Sequence, residues 1–265
     1  MRGRAGGGSG FGAGGGVRSE NVGLQAKDAT PPLYVNGVDI TQAPGNAVAC
    51  GGGTAVYQND VLTLTDAEIT GVWSSAGING AQLKQPLEIV LVGANSISNA
   101  VDDGILCGPS LTISGNGTLT IENNHEYARG IHVLQGAANI GANLILRNAA
   151  NGKGWAIDLQ GKAKSTIDGA KISVSGYQTA INLPFAPLDI VDSAIEIQKC
   201  TLGINGGDGA ISFKNGRFAF SQAVGDDVRL GISCYSDLTI DNCTIEAASA
   251  NFNAIYCEGK VRVEG

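Results

Sequence analysis

The residues best suited to chemistry are acids and amides between positions 102 and 126. Carboxylate and amide oxygens are the ligands that Ca²⁺ prefers, and it takes about six to eight of them. A bound Ca²⁺ can also bridge to an acidic sugar. The group therefore predicts a calcium site, with a solvated acidic loop as the alternative. Its members are Asp102, Asp103, Glu122, Asn124 and Glu126.

Three aromatic residues and two arginines stand in the same part of the chain. Tyr127, Trp155 and Tyr177 each come shortly before a small residue followed by Ile, and Arg129 and Arg147 lie in the same loops beside acids. An aromatic ring with a polar edge suits the face of a sugar. These five residues predict a saccharide-binding surface. The alternative is that the aromatic residues only cover a corner of the fold.

A catalytic site is a second interpretation of this region. The segment VDDGI, at Val101 to Ile105, resembles the paired-Asp segment of polygalacturonases, and His132 follows in the next repeat. The rest of that pattern is missing, because Gly71 to Gln85 contains no Asp or Glu and neither Gly-His-Gly nor Arg-x-Lys follows. A calcium lyase would need an arginine that can lose its proton, and acids beside Arg129 and Arg147 hold that proton in place. The sequence favours a protein that does not catalyse.

A repeated dipeptide indicates the elements that position these residues. A small residue followed by Ile recurs eight times, at intervals of 23–28 residues. Such a period is the signature of a solenoid. The repeated residues are Gly77-Ile78, Gly104-Ile105, Gly130-Ile131, Ala156-Ile157, Ala180-Ile181, Gly203-Ile204, Gly231-Ile232 and Ala254-Ile255.

Each repeat contains three short segments of alternating apolar residues. Three strands per repeat predict a right-handed, single-stranded parallel β-helix of about eight coils, in which equivalent residues form ladders spaced ~4.8 Å apart. The repeated Ile and the residue two positions further on are expected to point inward. Gly169, Asp192, Asn215 and Asn242 separate the second and third strands, and such residues tolerate the left-handed backbone of a tight corner.

Composition and charge limit the domains and partners. Residues 1–32 predict a flexible leader because the first sixteen are dominated by Gly, and residues 33–265 predict the β-helix with N-terminal capping strands. Gly265 falls in mid-coil, so we expect the natural chain to continue.

The net charge of −7 argues against a nucleic-acid partner. The sequence contains no apolar run long enough for a membrane span, and it leaves the oligomeric state open.

The cysteines do not decide the redox compartment. Cys107, Cys234 and Cys257 fall on one predicted inward ladder, where Cys234 and Cys257 are neighbours. They are interpreted as small core residues, with a disulfide as the alternative. No Cys-x-x-Cys or Cys/His grouping suggests zinc.

Several segments together resemble a family of bacterial secreted carbohydrate-binding β-helices with a pectate-lyase-like fold. They are LYVNGVDIT, GGTAVYQNDVLTLTDAEIT, LEIVLVGANSIS, GILCGPSLTISGNGTLTI and GISCYSDLTIDNCTIEA. The resemblance covers roughly residues 33 to 265 and implies a protein that binds sugar polymers outside the cell or at the bacterial surface, often with calcium. We therefore expect a non-catalytic polysaccharide-binding module, with acidic polymers held through Ca²⁺. The alternatives are a polysaccharide-degrading enzyme and a structural adhesin stalk.

Overall fold

The computed structural model describes residues 30–221, 230–248 and 253–265, and the regular elements of these residues are almost all β-strands. From Pro31 onward the chain forms one compact unit. One short 3-10 turn, Pro44–Asn46, interrupts the strands.

The strands are β1 Tyr34–Val35, β2 Val38–Asp39, β3 Ala47–Cys50, β4 Gly53–Gln58, β5 Val61–Thr65, β6 Glu68–Ile69, β7 Ala76–Gly80, β8 Leu87–Val92, β9 Ala94–Ser98, β10 Asp103–Cys107, β11 Leu111–Gly115, β12 Thr118–Asn123, β13 Arg129–Val133, β14 Ala138–Ile140, β15 Asn143–Asn148, β16 Trp155–Leu159, β17 Ser165–Asp168, β18 Lys171–Ser175, β19 Thr179–Leu183, β20 Leu188–Val191, β21 Ala194–Gln198, β22 Leu202–Gly206, β23 Ile211–Lys214, β24 Arg217–Ser221, β25 Leu230–Cys234, β26 Leu238–Asp241, β27 Thr244–Ala248, β28 Asn253–Cys257 and β29 Val261–Glu264.

Successive strands go to three different sheets, so the chain winds as a parallel β-helix of about eight coils. Sheet A contains β7, β10, β13, β16, β19, β22, β25 and β28. Sheet B contains β5, β8, β11, β14, β17, β20, β23, β26 and β29, and sheet C contains β6, β9, β12, β15, β18, β21, β24 and β27. The predicted fold class is confirmed.

Antiparallel strands lie at the N-terminal end of the coils. Strands β1 and β2 form a hairpin whose β1 pairs with β7 at the edge of sheet A. Strands β3 and β4 continue sheet B in antiparallel fashion from β5. Paired edges of this kind protect the first coil from joining another chain.

The repeated Ile residues lie on one inward ladder in sheet A. Ile78, Ile105 and Ile131 are direct register partners, and the ladder continues in register to Ile255. Seven of these residues, from Ile78 to Ile232, have no exposed surface. Burying one such side chain stabilises the fold by about 1.5–3 kcal/mol, so the repeat in the sequence is the core of the solenoid.

The corners between sheets B and C have the backbone that the sequence predicts. Gly169, Asp192, Asn215 and Asn242 all have a positive φ, between 49° and 66°. Glycine, asparagine and aspartate adopt this conformation at lower cost than other residues. The Asn242 side-chain amide also donates to Asn215 Oδ1 at 3.0 Å, which links neighbouring corners.

Two expectations concern other parts of the chain. No helix among the described residues has the length and apolar character needed to cross a bilayer. The predicted leader lies, over residues 1–29, outside the described residues.

Candidate functional site

A long polar depression follows the corner between sheets C and A, and we call it the corner trough. Two cavities of about 320 and 430 Å³ form it, and both are lined by Glu122, Asn123 and Ala149. The trough runs past five successive coils, which corresponds to ~19 Å along the helix axis. The other lining residues are Ser98, Asn99, Ala100, Val101, Asn124, His125, Arg147, Asn148, Asn151, Ser175, Gly176 and Lys199.

Register between β12 and β15 positions the centre of the trough. Glu122 pairs with Arg147, and Asn123 pairs with Asn148. The Asn148 side-chain amide donates to the His125 carbonyl at 2.9 Å and thereby fixes the adjoining loop. Asn123 and Asn148 are buried, so the floor of the trough consists of amides that the strands hold in place.

The rim of the trough is charged and accessible. Arg147 Nη1 lies 3.4 Å from Glu122 Oε1, and both side chains are 56% exposed. An exposed pair of this kind contributes only about 0–1 kcal/mol to stability. Either group can therefore exchange its partner for a ligand at little cost. Lys199 adds a second exposed positive charge further along.

The three aromatic residues of the predicted saccharide-binding surface differ in their exposure to solvent. The Tyr127 side chain is 58% exposed, and Lys153 Nζ lies 5.7 Å from the centre of its ring. Trp155 is partly exposed at the start of β16. Tyr127 and Trp155 are therefore available to a ligand near the trough.

Tyr177 is the exception, because the structure buries the ring that was predicted to lie on the saccharide-binding surface. It is only 1% exposed, and its hydroxyl donates to Asn123 Oδ1 at 2.6 Å. The ring belongs to the buried core, and its hydroxyl also lies 3.3 Å from the Arg147 carbonyl, beneath the trough. Tyr177 thus supports the floor of the trough from inside.

Burial gives Tyr177 a pH-dependent effect on stability. Loss of water contact, with a smaller contribution from Cys200, raises the pKa of its phenol. An unfolded tyrosine loses its proton near pH ~10. Above that pH the folded state keeps a proton that the unfolded state releases, so stability falls as the pH rises and is unaffected below it. We expect the native protein to lose more stability than Tyr177→Phe between about pH 9 and 11 in urea denaturation. Equal losses would contradict this.

The predicted calcium ligands are mostly occupied by basic side chains. Arg129 pairs with Asp103, Arg147 with Glu122, and Lys153 with Glu126. Asp102 and Asn124 are exposed. Among the described residues, no group of three or more His, Cys, Asp or Glu side chains is arranged to hold a metal ion. Calcium binding remains a prediction.

A row of ionisable groups, three of them buried, crosses the outer face of sheet A, and we call it the charge ladder. It consists of Asp103, Arg129, His132 and Asp158. Arg129 Nε donates to Asp103 Oδ1 at 2.6 Å. His132 Nδ1 lies 3.4 Å from Asp103 Oδ1, and His132 Nε2 lies 3.6 Å from Asp158 Oδ2. The imidazole therefore stands between two carboxylates from the preceding and following coils.

Asp158 is the most enclosed member of the charge ladder. Its side chain is 1% exposed. Its Oδ1 accepts hydrogen bonds from Gln160 Nε2 at 2.7 Å and Asn182 Nδ2 at 2.8 Å. Its Oδ2 and His132 Nδ1 have no hydrogen-bond partner within the described part of the chain. The contacts hold the Asp158 carboxylate facing the imidazole.

Sequence reasoning identified Asp103, Arg129 and His132 but missed Asp158. The signal was present, because Asp158 directly follows Ile157 as His132 follows Ile131. Register then makes His132 and Asp158 direct partners. Residues 71–85, in the coil before Asp103, contain no second carboxylate. The structure instead places one, Asp158, two coils after Asp103.

Comparisons with protein-family models, curated proteins and solved structures find no match to this chain.

Proposed function

We propose that this protein is an extracellular module that binds polysaccharide in the corner trough. The observation that carries the proposal is the register-built row of acid, amide and basic side chains at the centre of the trough, Glu122 and Asn123 beside Arg147 and Asn148. Saccharide hydroxyls both donate and accept hydrogen bonds, so the exposed carboxylate and guanidinium groups of the trough match them. The exposed ring of Tyr127 adds an aromatic face nearby.

We further propose acidic polymers, such as polyuronates, as the ligands. Arg147 and Lys199 both line the trough, and a guanidinium binds a carboxylate through paired hydrogen bonds. Calcium would act as a bridge between the uronate and the exposed acid Asp102, because the protein as a whole is negatively charged. The resemblance to secreted carbohydrate-binding β-helices supports both the ligand class and the bacterial extracellular location.

The test is a binding titration against polygalacturonate and a neutral glucan, with calcium and with chelator. We expect Arg147→Ala to weaken binding of polygalacturonate by about 10- to 150-fold, as loss of one charge-assisted hydrogen bond costs about 1.5–3 kcal/mol. Arg262→Ala is the matched control, because Arg262 is also exposed and paired with a glutamate, Glu264, but lies on sheet B. Equal affinities of the two variants, or no binding by the native protein, would contradict the proposal. The latter result would favour a structural stalk.

A hydrolase acting on the same polymers is the second candidate, and Asp158 favours it. Inverting hydrolysis uses two carboxyl groups about 6.5–9.5 Å apart. The Asp103 and Asp158 carboxylates flank the same imidazole, with oxygens 3.4 Å from His132 Nδ1 and 3.6 Å from His132 Nε2. The near-complete burial of Asp158 argues for a supporting role instead. New reducing ends in the titrated polymer, lost in Asp103→Ala, would establish the hydrolase and exclude the purely binding function.

A further inference from the structure

Two cysteines meet inside the solenoid near the C-terminal end of the described coils. Cys234 on β25 and Cys257 on β28 are direct register partners. Neighbouring strands lie ~4.8 Å apart, inside the Cα separation of about 4.4–6.8 Å that a disulfide needs. The Cys257 thiol donates to the Ser236 carbonyl, 3.1 Å away.

The other cysteines have different surroundings. Cys107 lies on the same inward ladder, but its register partners are Gly80 and Val133. Cys50 and Cys200 donate to the carbonyls of nearby residues in their own loops or strands. Within the described residues, register pairing of two cysteines is found for Cys234 with Cys257.

We propose that Cys234 and Cys257 form a disulfide bond that staples β28 to β25 in an oxidising environment. The oxidant is a small disulfide such as oxidised glutathione. The thiolate of Cys257 attacks one sulfur of the oxidant and releases the first glutathione thiolate. The Cys234 sulfur then attacks Cys257 in the mixed disulfide, gives up its proton to solvent and releases the second glutathione.

The order of these steps follows from burial. Cys234 is fully buried, whereas Cys257 is partly exposed. Desolvation raises the pKa of the Cys234 thiol to about 12, so this thiol is a poor nucleophile toward a dissolved oxidant. Cys257 therefore reacts first, and Cys234 reacts only when the mixed disulfide is brought against it.

The test counts thiols in the intact protein before and after oxidation. The folded protein is treated with oxidised glutathione, quenched in acid, alkylated in denaturant and weighed by mass spectrometry. We expect four of the six cysteines to be alkylated. After the mass of the alkyl groups is subtracted, the oxidised protein should be two hydrogens lighter than the reduced protein. Proteolysis should give a peptide that links Cys234 to Cys257.

Serine variants separate this pair from the others. Cys257→Ser should keep all its remaining thiols free, Cys234→Ser should lose only the Cys257 thiol, as its mixed disulfide with glutathione, and the control Cys107→Ser should still lose two. Circular dichroism on each variant shows whether it keeps the fold. Full alkylation of all six cysteines in the treated native protein, or a linkage that includes a different cysteine, would overturn the proposal. The result is independent of polysaccharide binding.

Discussion

Asp158→Ala is expected to lower the free energy of unfolding by about 2–4 kcal/mol, because it removes a buried acceptor and leaves its hydrogen-bond donors unpaired. The substitution removes the carboxylate that faces His132 Nε2. It also leaves the side-chain amides of Gln160 and Asn182 without their acceptor. Each buried donor left unpaired costs about 1–3 kcal/mol. Urea denaturation of the native and variant proteins measures the difference.

Asp168→Ala is the control for this prediction. Asp168 ends β17 in the same coil but is exposed, so its removal should change stability by no more than about 0.5 kcal/mol. Asp158→Asn keeps the size of the side chain and removes only its charge, and it should fall between the two. If Asp158→Ala and Asp168→Ala had the same small effect, the charge ladder would have no stabilising role.

Tyr177→Ala is expected to destabilise the fold by about 3–5 kcal/mol, the usual cost of truncating a large buried aromatic side chain. The change would leave a cavity beneath the corner trough and remove the hydrogen bond to Asn123 Oδ1. Because Asn123 lines both cavities of the trough, we also expect weaker binding of polysaccharide. Thermal and urea denaturation measure the first effect, and the binding titration measures the second.

Two variants distinguish the contributions of Tyr177. Tyr177→Phe keeps the ring and loses only the hydroxyl, so it should cost about 1–3 kcal/mol for the unpaired acceptor. Tyr127→Ala removes an exposed ring and should leave stability nearly unchanged while weakening binding. A weak effect of Tyr177→Ala on stability would contradict the burial of Tyr177. A strong effect of Tyr127→Ala on stability would contradict the exposure of Tyr127.

Local patterns were enough to predict the fold. An inward residue recurring with each coil fixes the register, because a shift by one residue would place Ile131 outside and His132 inside. The left-handed corner residues confirm the same register independently, since Asp192 and Asn215 have positive φ where the sequence placed them. Both signals repeat along the chain, and each repeat reinforces the others.

The candidate site was less predictable because it lies in the corners, where the repeat changes length. Tyr127 and Tyr177 occupy the same position relative to the next small residue and Ile, yet one ring is exposed and the other is buried. Which way such a ring turns depends on the space left by the loops of neighbouring coils. No periodic pattern within one loop carries that information.

The sequence by itself therefore determined the parallel β-helix, the inward ladder of Ile residues and the adjacent positions of Cys234 and Cys257 on a second inward ladder. Those features depend on alternation along a strand and on a constant repeat, which are local and additive. Only the tertiary structure decided that Arg129 and Arg147 pair with the acids predicted to bind metal, and that Asp158 completes the charge ladder. Such choices are made between side chains on different coils, where distance and burial, rather than spacing in the sequence, select the partner.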